Sequence, residues 1–283
     1  MGEVSKAVLV TGCSSGIGHA TAEHLAGQGW KVYATARRVE AIEDLAEKGC
    51  VTLALDVTDE SSMRTAVDAV EQAEGAVGVL VNNAGYSQSG AVETLSLDDV
   101  RRQFETNVFG LVRMCQHVLP GMREQSWGKI VNISSMGGRL TFPGGGAYHA
   151  TKHAVEAFSD ALRFEVDGFG VDVILIEPGL ITTKFGEVGA ASVGESRDDG
   201  PYADFNDAVA QGTAEVYEGG LAKLGGPPEV VAKKIAKAIT ARRPKTRYVV
   251  TPSARLALGQ RALMTDRLWD RAMRVQFPRP GAE

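Results

Sequence analysis

Short, unbroken apolar runs alternate with longer segments in which apolar residues recur every three or four positions. Residues 7–10, 32–36, 51–55, 77–81, 130–133 and 171–176 form the short runs, built largely from Val, Leu, Ile and Ala. Apolar character that is continuous rather than alternating predicts strands covered on both faces. Between them, residues 17–28, 40–47, 61–74, 97–119 and 148–164 read as helices, and Val155, Phe158, Leu162 and Val166 keep helical spacing at the last of these. The β-α-β alternation predicts an α/β fold, a doubly wound parallel sheet of about seven strands with helices on both faces. Residues 248–250 supply the last strand.

Two regions break the rhythm. Residues 186–226 are rich in Gly, Ala and acidic side chains and poor in large apolar ones. They read as a mobile lid with one short helix. After the last strand the chain turns basic, with Arg255, Arg261, Arg267, Arg271, Arg274 and Arg279 against Asp266, Asp270 and Glu283. Such a tail could dock on an acidic partner or a membrane surface. The simpler reading, preferred here, is an amphipathic helix over 254–275 that packs Leu256, Leu263, Leu268 and Trp269 on the body with Arg outside. The expected organisation is one catalytic domain over 1–251, its lid near 186–226, and a helical extension over 252–283 packed on the same domain.

Bulk composition narrows the function classes without naming one. Hydrophobic residues are 44% and charged residues 23% of the 283, ordinary for a globular chain. A net charge of −5 gives no reason to expect nucleic acid. Cys13, Cys50 and Cys115 are scattered, with no CxxC spacing, and His19, His24 and His117 form no cluster with acids or cysteines, so no disulfide framework or metal site is expected. The opening residues lack a signal-peptide pattern, and no apolar run approaches the ~20 residues needed to span a bilayer. The expectation is a cytoplasmic protein with no membrane span.

The chemistry-bearing motifs sit where strands end. Thr11, Gly12, Cys13, Ser14, Ser15, Gly16, Ile17 and Gly18 join the first strand to the first helix. Glycines there let main chain turn tightly and approach a pyrophosphate, which the helix N-terminus favours through free N–H groups and its dipole. The spacing is Gly-x-x-x-Gly-x-Gly rather than the commoner Gly-x-Gly-x-x-Gly. At the end of the second strand, a Rossmann-type site for NAD usually carries an acid for the ribose hydroxyl. Here Arg37 and Arg38 stand there instead, and a guanidinium pairs with a 2′-phosphate. NADP is therefore expected, NAD less so, with Arg37 the main contact and Arg38 in support. Asp56 and Val57, after the third strand, and Asn83, Ala84 and Gly85, after the fourth, are candidates to line the adenine and ribose; each is also ordinary turn chemistry.

Tyr148 and Lys152 lie four apart on a helix, so both project from one face. A free Tyr titrates near pH ~10, and bringing that to about 7 takes roughly 4 kcal/mol of preferential phenolate stabilisation. A neighbouring ammonium supplies it most directly. Alone, Tyr-x-x-x-Lys is a common accident. With Thr-Gly-x-x-x-Gly-x-Gly, Asn-Asn-Ala-Gly, a Ser thirteen residues before the Tyr, and Pro178-Gly179, all in order, the chain resembles the classical short-chain dehydrogenase/reductase family from about residue 6 to 250. The basic tail and residues 130–135 resemble the hydroxysteroid and retinol dehydrogenase branch.

The resemblance implies roles by position. Tyr148 matches the general acid/base and Ser135 the serine that orients substrate. Lys152 matches the residue that lowers the Tyr pKa and holds the nicotinamide ribose, and Asn107 the asparagine that maintains a relay water. Pro178, Gly179, Ile181 and Thr183 match the segment around the carboxamide and pyrophosphate. Ser134 is adjacent to Ser135, but a strand sends successive side chains to opposite faces, so only one can meet substrate. The implied reaction is hydride transfer between nicotinamide and an apolar secondary alcohol/ketone or alcohol/aldehyde, steroid- or retinol-like substrates included. A 3-oxoacyl thioester reductase is the alternative within the family, and the long tail counts against it. A nucleotide-binding regulator without turnover is the other, and the intact Asn107, Ser135, Tyr148 and Lys152 set counts against that. Family members assemble as homodimers or homotetramers, which is the expectation here.

Several residues admit a plainer role. His149 and His153 are expected in packing or at the surface, and residues 143–146 as a loop that shapes the site. Arg139 either meets an anionic substrate or points to solvent. Phe142, Phe185, Tyr202, Phe205 and Tyr217 form an apolar wall or anchor the lid. Pocket walls are expected from residues 136–147 and from the chain after Thr183.

Overall fold

Val8, Leu9 and Val10 are wholly buried, yet they do not share a core. Val8 and Val10 face one layer and Leu9 the other, the period-two geometry of a strand covered on both sides. These residues form β1 (Val8–Val10) in the computed structural model, which describes residues 4–195, 200–216 and 220–281. The other strands are β2 (Val32–Ala36), β3 (Val51–Ala54), β4 (Val79–Asn82), β5 (Gly128–Ile133), β6 (Val171–Glu177) and β7 (Arg247–Val249). Together they make a seven-stranded sheet in the order β3-β2-β1-β4-β5-β6-β7. Every pairing is parallel; Val8 pairs with Val32 on one side and Val79 on the other. The order therefore reverses beside β1, which opens a crevice at the strand carboxyl ends.

Helices cover both faces. On one side α1 (Gly16–Gly27) and α9 (Pro228–Thr240) bury Leu25, Ile235 and Ile239. On the other, α3 (Glu60–Glu74), α5 (Gly110–Glu124) and α6 (Gly146–Val166) bury Val70, Met114, Val118 and Val155. Each fully buried aliphatic side chain of this kind contributes about 1.5–3 kcal/mol. α2 (Glu43–Glu47) follows a 3-10 turn over Val39–Ile42, so the segment read as one helix over 40–47 is two pieces. Ile42 and Leu45, both wholly buried, fix the junction.

Three expectations are corrected. The helix over 97–119 is α4 (Leu97–Phe104) and α5 joined by a π turn over Glu105–Phe109. The extra residue in that turn re-aims Asn107, and α5 continues past Pro120 with Met122 wholly buried. Residues 186–226 hold more than one short helix: α7 (Phe185–Glu195) and α8 (Ala203–Glu215) pack together over the crevice. Their small Ala and Gly residues allow close approach, and Val193 and Val209 supply the buried contacts that a count of large apolar residues missed.

The helix over 254–275 is also two, α10 (Pro252–Leu263) and α11 (Asp266–Gln276). Met264 and Thr265 are extended, and the Thr265 hydroxyl caps α11 by accepting from Leu268 N. The break rotates the packing face. Ala254, Trp269 and Met273 are buried, whereas Leu256, Leu263 and Leu268 are 49%, 89% and 47% exposed. Trp269 and Met273 cluster with Leu140, and Trp269 Nε1 donates to Thr141 O at 3.1 Å. Among the described residues no helix is long and apolar enough to cross a membrane.

Candidate active site

The crevice holds a cavity of ≈ 1590 Å³ that runs from the β1–α1 loop to α10 and α11. At the loop end its walls are main chain. Gly12 has φ +72, and a Cβ there would lie 2.9 Å from Ala84 Cα. Gly16 has φ +59, in the left-handed region that L side chains rarely adopt. Ser15 precedes α1 in extended conformation and makes no side-chain cap, so its first-turn N–H groups face the cavity mouth without that partner. Ser14, Ser15 and Ile17 line the same end. This uncapped helix N-terminus behind a glycine cradle fits a dinucleotide pyrophosphate.

Asn83 does not reach outward as a ligand would. Its amide donates to Thr11 O and Gly12 O, each at 3.0 Å, while Thr11 Oγ1 accepts from Asn83 N and Ala84 N. The side chain thus clamps the glycine loop. Gly18 is buried away from the cavity surface, and its role is clearance: a Cβ would fall 2.4 Å from Asn83 Nδ2. Arg37 is exposed and lines the cavity, but Arg38 does not, because successive residues leaving β2 point apart. Asp56 lines it, with Oδ1 held by Thr58 N and Oγ1 at 2.9 and 2.7 Å, and Val57, Ala84 and Gly85 complete that wall.

The polar centre sits where β5 and α6 converge. Lys152 is 6% exposed, and its Nζ donates to Ile133 O at 2.8 Å and lies 5.8 Å from the Tyr148 ring centroid. Burial pulls its ammonium down to about 8, with the Glu156 carboxylate opposing. Tyr148 is half-buried on the cavity wall, its ring in edge contact with Phe185. Ser135 Oγ accepts from Gly137 N at 3.0 Å, an orientation that leaves the hydroxyl proton to be donated elsewhere. Ser134 turns away and donates to Glu156 at 2.5 Å. Asn107 lies behind the cavity: its amide donates to Tyr86 O and Thr151 Oγ1, and its carbonyl accepts from Tyr86 N. Its side chain braces α6 against the chain after β4. Pro178, Gly179, Ile181 and Thr183 line the cavity after β6. A Cβ at Gly179 would meet Ser253 and Thr251 at 2.5 Å, so α10 starts directly on this segment.

Beyond Tyr148 the walls become side chains. Trp269, Phe142, His149, Tyr148 and Phe185 form an aromatic chain with successive centroids 5.8, 5.9, 5.5 and 5.3 Å apart. His149 is buried among them, its ring held by Gly137 O at 3.1 Å, and burial brings its pKa down to about 4. It is a packing residue that also lines the cavity. His153 bonds the His149 carbonyl. Arg139 pairs with the buried Glu177 at 3.5 Å and stays clear of the cavity. Tyr202 bonds Glu93, Phe205 contacts Phe277, and neither lines the cavity; Tyr217 lies outside the described residues.

Two wall segments escaped sequence reasoning. Tyr86–Ser89 follow Asn-Asn-Ala-Gly and tie to α7, where Ser89 N donates to Ser192 Oγ at 3.0 Å. Leu256, Met264, Trp269, Met273 and Phe277 bring the basic tail into the cavity. The alternation of apolar and Arg residues signalled a packed helix, but not that it packs over the site.

Residues 6–191 match the family described as short chain dehydrogenase, and the chain belongs to that family of oxidoreductases. Similar proteins include an NADPH-dependent 3-dehydrocapnine reductase from Ornithobacterium rhinotracheale, 38% identical, with 93% of this chain and 94% of that protein covered. A 3-ketodihydrosphingosine reductase from Bacteroides thetaiotaomicron is 35% identical, with 95% and 97% covered. Among solved structures, a short-chain dehydrogenase from Streptomyces avermitilis superposes with TM-score 0.78 at 34% identity over 97% of this chain and 99% of that one. A family member from Burkholderia phymatum in complex with NAD gives TM-score 0.77 at 26% identity over 100% and 99%.

Proposed function

We propose that this oxidoreductase is an NADP-preferring reductase of apolar ketones, acting on a carbonyl near the polar head of a long aliphatic chain. The observation that carries the reading is one continuous cavity, glycine-walled at one end and apolar at the other, with Tyr148, Lys152 and Ser135 between. The dinucleotide, when bound, supplies the hydride. The glycine loop, Ser14, Ser15 and the α1 N-terminus hold its pyrophosphate, while Asp56, Val57, Asn83, Ala84 and Gly85 border the adenosine. Ile181, Thr183, Pro178 and Gly179 hold the nicotinamide half. Arg37 favours the 2′-phosphate, since no acid stands at the end of β2.

The remaining chemistry belongs to the side chains. Ser135 donates a hydrogen bond to the substrate oxygen as negative charge grows there. Tyr148 gives that oxygen its proton, and the charged Lys152 eases the loss of that proton. Asn107 acts at one remove, by fixing the chain that carries Tyr86 against α6. Alcohol oxidation runs the same steps backward. The two similar reductases support the substrate class, since both names describe a carbonyl at position 3. A homo-oligomer in the reducing cytoplasm, with the C-terminal helices as an extension of one catalytic domain, completes the reading.

NADPH oxidation against 3-ketones of increasing chain length, a short ketone, an aldehyde and an acetoacetyl thioester tests it. The expected result is kcat/KM rising with chain length. Fastest turnover on the thioester would move the enzyme to the other branch, and no oxidation with any carbonyl would refute the reading.

A further inference from the structure

The last two helices carry a pattern that the cavity does not use. On α11 the inward line is Trp269, Ala272, Met273 and Gln276. The outward line is Arg267, Arg271 and Arg274, all exposed, at i, i+4 and i+7. Leu268 and Val275 run beside Arg271 at helical spacing and are 47% and 88% exposed. Leu263, 89% exposed, precedes the turn into α11. The acids Asp266 and Asp270 lie on the other flank of the helix, and Asp266 pairs with Arg261. A chain of net charge −5 thus presents a cationic, aliphatic face here.

We propose that this face docks on an anionic lipid bilayer, with Arg267, Arg271 and Arg274 at the headgroups and Leu263, Leu268 and Val275 in the interface. A helix of arginines flanked by aliphatic residues suits that boundary, where cations meet anionic headgroups and apolar side chains leave water. A second copy joined by a twofold axis would set the arginine stripe against itself. Nucleic-acid phosphates would satisfy the arginines and leave three aliphatic side chains in water. Leu256, on the adjoining α10, and Val188, on α7, are half-exposed and line the cavity. A long-chain ketone would pass from acyl layer to cavity without crossing water; only this consequence rests on the proposed substrate class, and the docking itself does not.

Co-sedimentation of the full-length protein with vesicles of equal parts phosphatidylglycerol and phosphatidylcholine tests the docking, with phosphatidylcholine alone as control. Binding is expected to the mixed vesicles only. The variant Arg267→Glu/Arg271→Glu/Arg274→Glu should bind at least about 100-fold more weakly, each arginine near such a surface being worth several-fold. Leu263→Ser/Val275→Ser should weaken binding about 10-fold. None of these residues lines the cavity, so both variants should keep wild-type NADPH oxidation on a water-soluble ketone and wild-type thermal unfolding. Failure of the wild-type protein to sediment, or equal sedimentation of the variants, would overturn the proposal. So would light scattering in which the arginine variant loses a self-association of the wild type that binds no vesicles. If no ketone is reduced but sedimentation follows this pattern, the substrate reading fails and the docking stands.

Discussion

At the cofactor end of the cavity the walls are main chain, and at the far end they are side chains from distant segments. Gly12 and Gly18 leave no room for a Cβ, Gly16 holds a positive φ that L side chains rarely adopt, and Asn83 spends both amide protons on the loop carbonyls. At the other end Phe142, Phe185, Trp269 and Met273 come from a loop, a helix after β6 and the last helix. A wall made of backbone tolerates few substitutions, so it is rigid and leaves a fixed spacing in the sequence. A wall of side chains needs only total volume and apolar character, so many sequences build it. One end can be general to a reaction class, while the other sets the substrate.

Perturbations should therefore sort by which end they touch. The largest effect is expected between the two, at Lys152→Met, where turnover should fall about 10³-fold through loss of the charge beside Tyr148. Replacing a buried ammonium with an apolar chain removes a desolvated charge, so calorimetry should show an unfolding temperature equal to or above wild type. A lower unfolding temperature would make Lys152 a structural residue first. At the cofactor end, Arg37→Ala should weaken NADPH binding about 10- to 100-fold, the worth of one charge-assisted contact, and leave NADH binding unchanged. Equal losses for both would remove Arg37 from cofactor selection.

At the substrate end, Leu256→Asp should raise KM for long-chain ketones about 10-fold, with NADPH affinity and turnover of the shortest ketone preserved. A change in NADPH affinity would mean that the two ends are coupled. The smallest effect is a shift in pH profile. Lys152 is charged below about 8, so ketone reduction should decline as pH rises through that value. Glu156 holds that pKa up, so Glu156→Gln should move the alkaline limb to lower pH. A limb that stays in place would exclude Lys152 as its origin.

The same contrast explains what was legible beforehand. The parallel sheet could be read because β1, β4 and β6 are buried on both faces, which forces unbroken aliphatic runs. The glycine loop, Tyr148 and Lys152 could be read because main-chain clearance and one helical turn dictate their spacing. That Arg37 lines the cavity and Arg38 does not could not be read, because direction reverses at each residue leaving a strand. The Asn83 side-chain clamp on Thr11 and Gly12 could not be read, because it joins loops that follow two different strands. The roles of α7, α8, α10 and α11 were hidden for a physical reason. Small residues pack α7 on α8, and a two-residue break turns Trp269 inward, and neither has a characteristic spacing.

In the proposed mechanism Tyr148 moves the proton while the dinucleotide site stands apart from it. Tyr148→Phe keeps the ring against Phe185 and removes only the hydroxyl. The direct measurement is single-turnover ketone reduction beside NADPH affinity from fluorescence, on wild type and variant. Reduction should fall at least 10²-fold with NADPH affinity within about twofold of wild type. Reduction at the wild-type rate would contradict the account, and so would a loss fully explained by weaker NADPH binding.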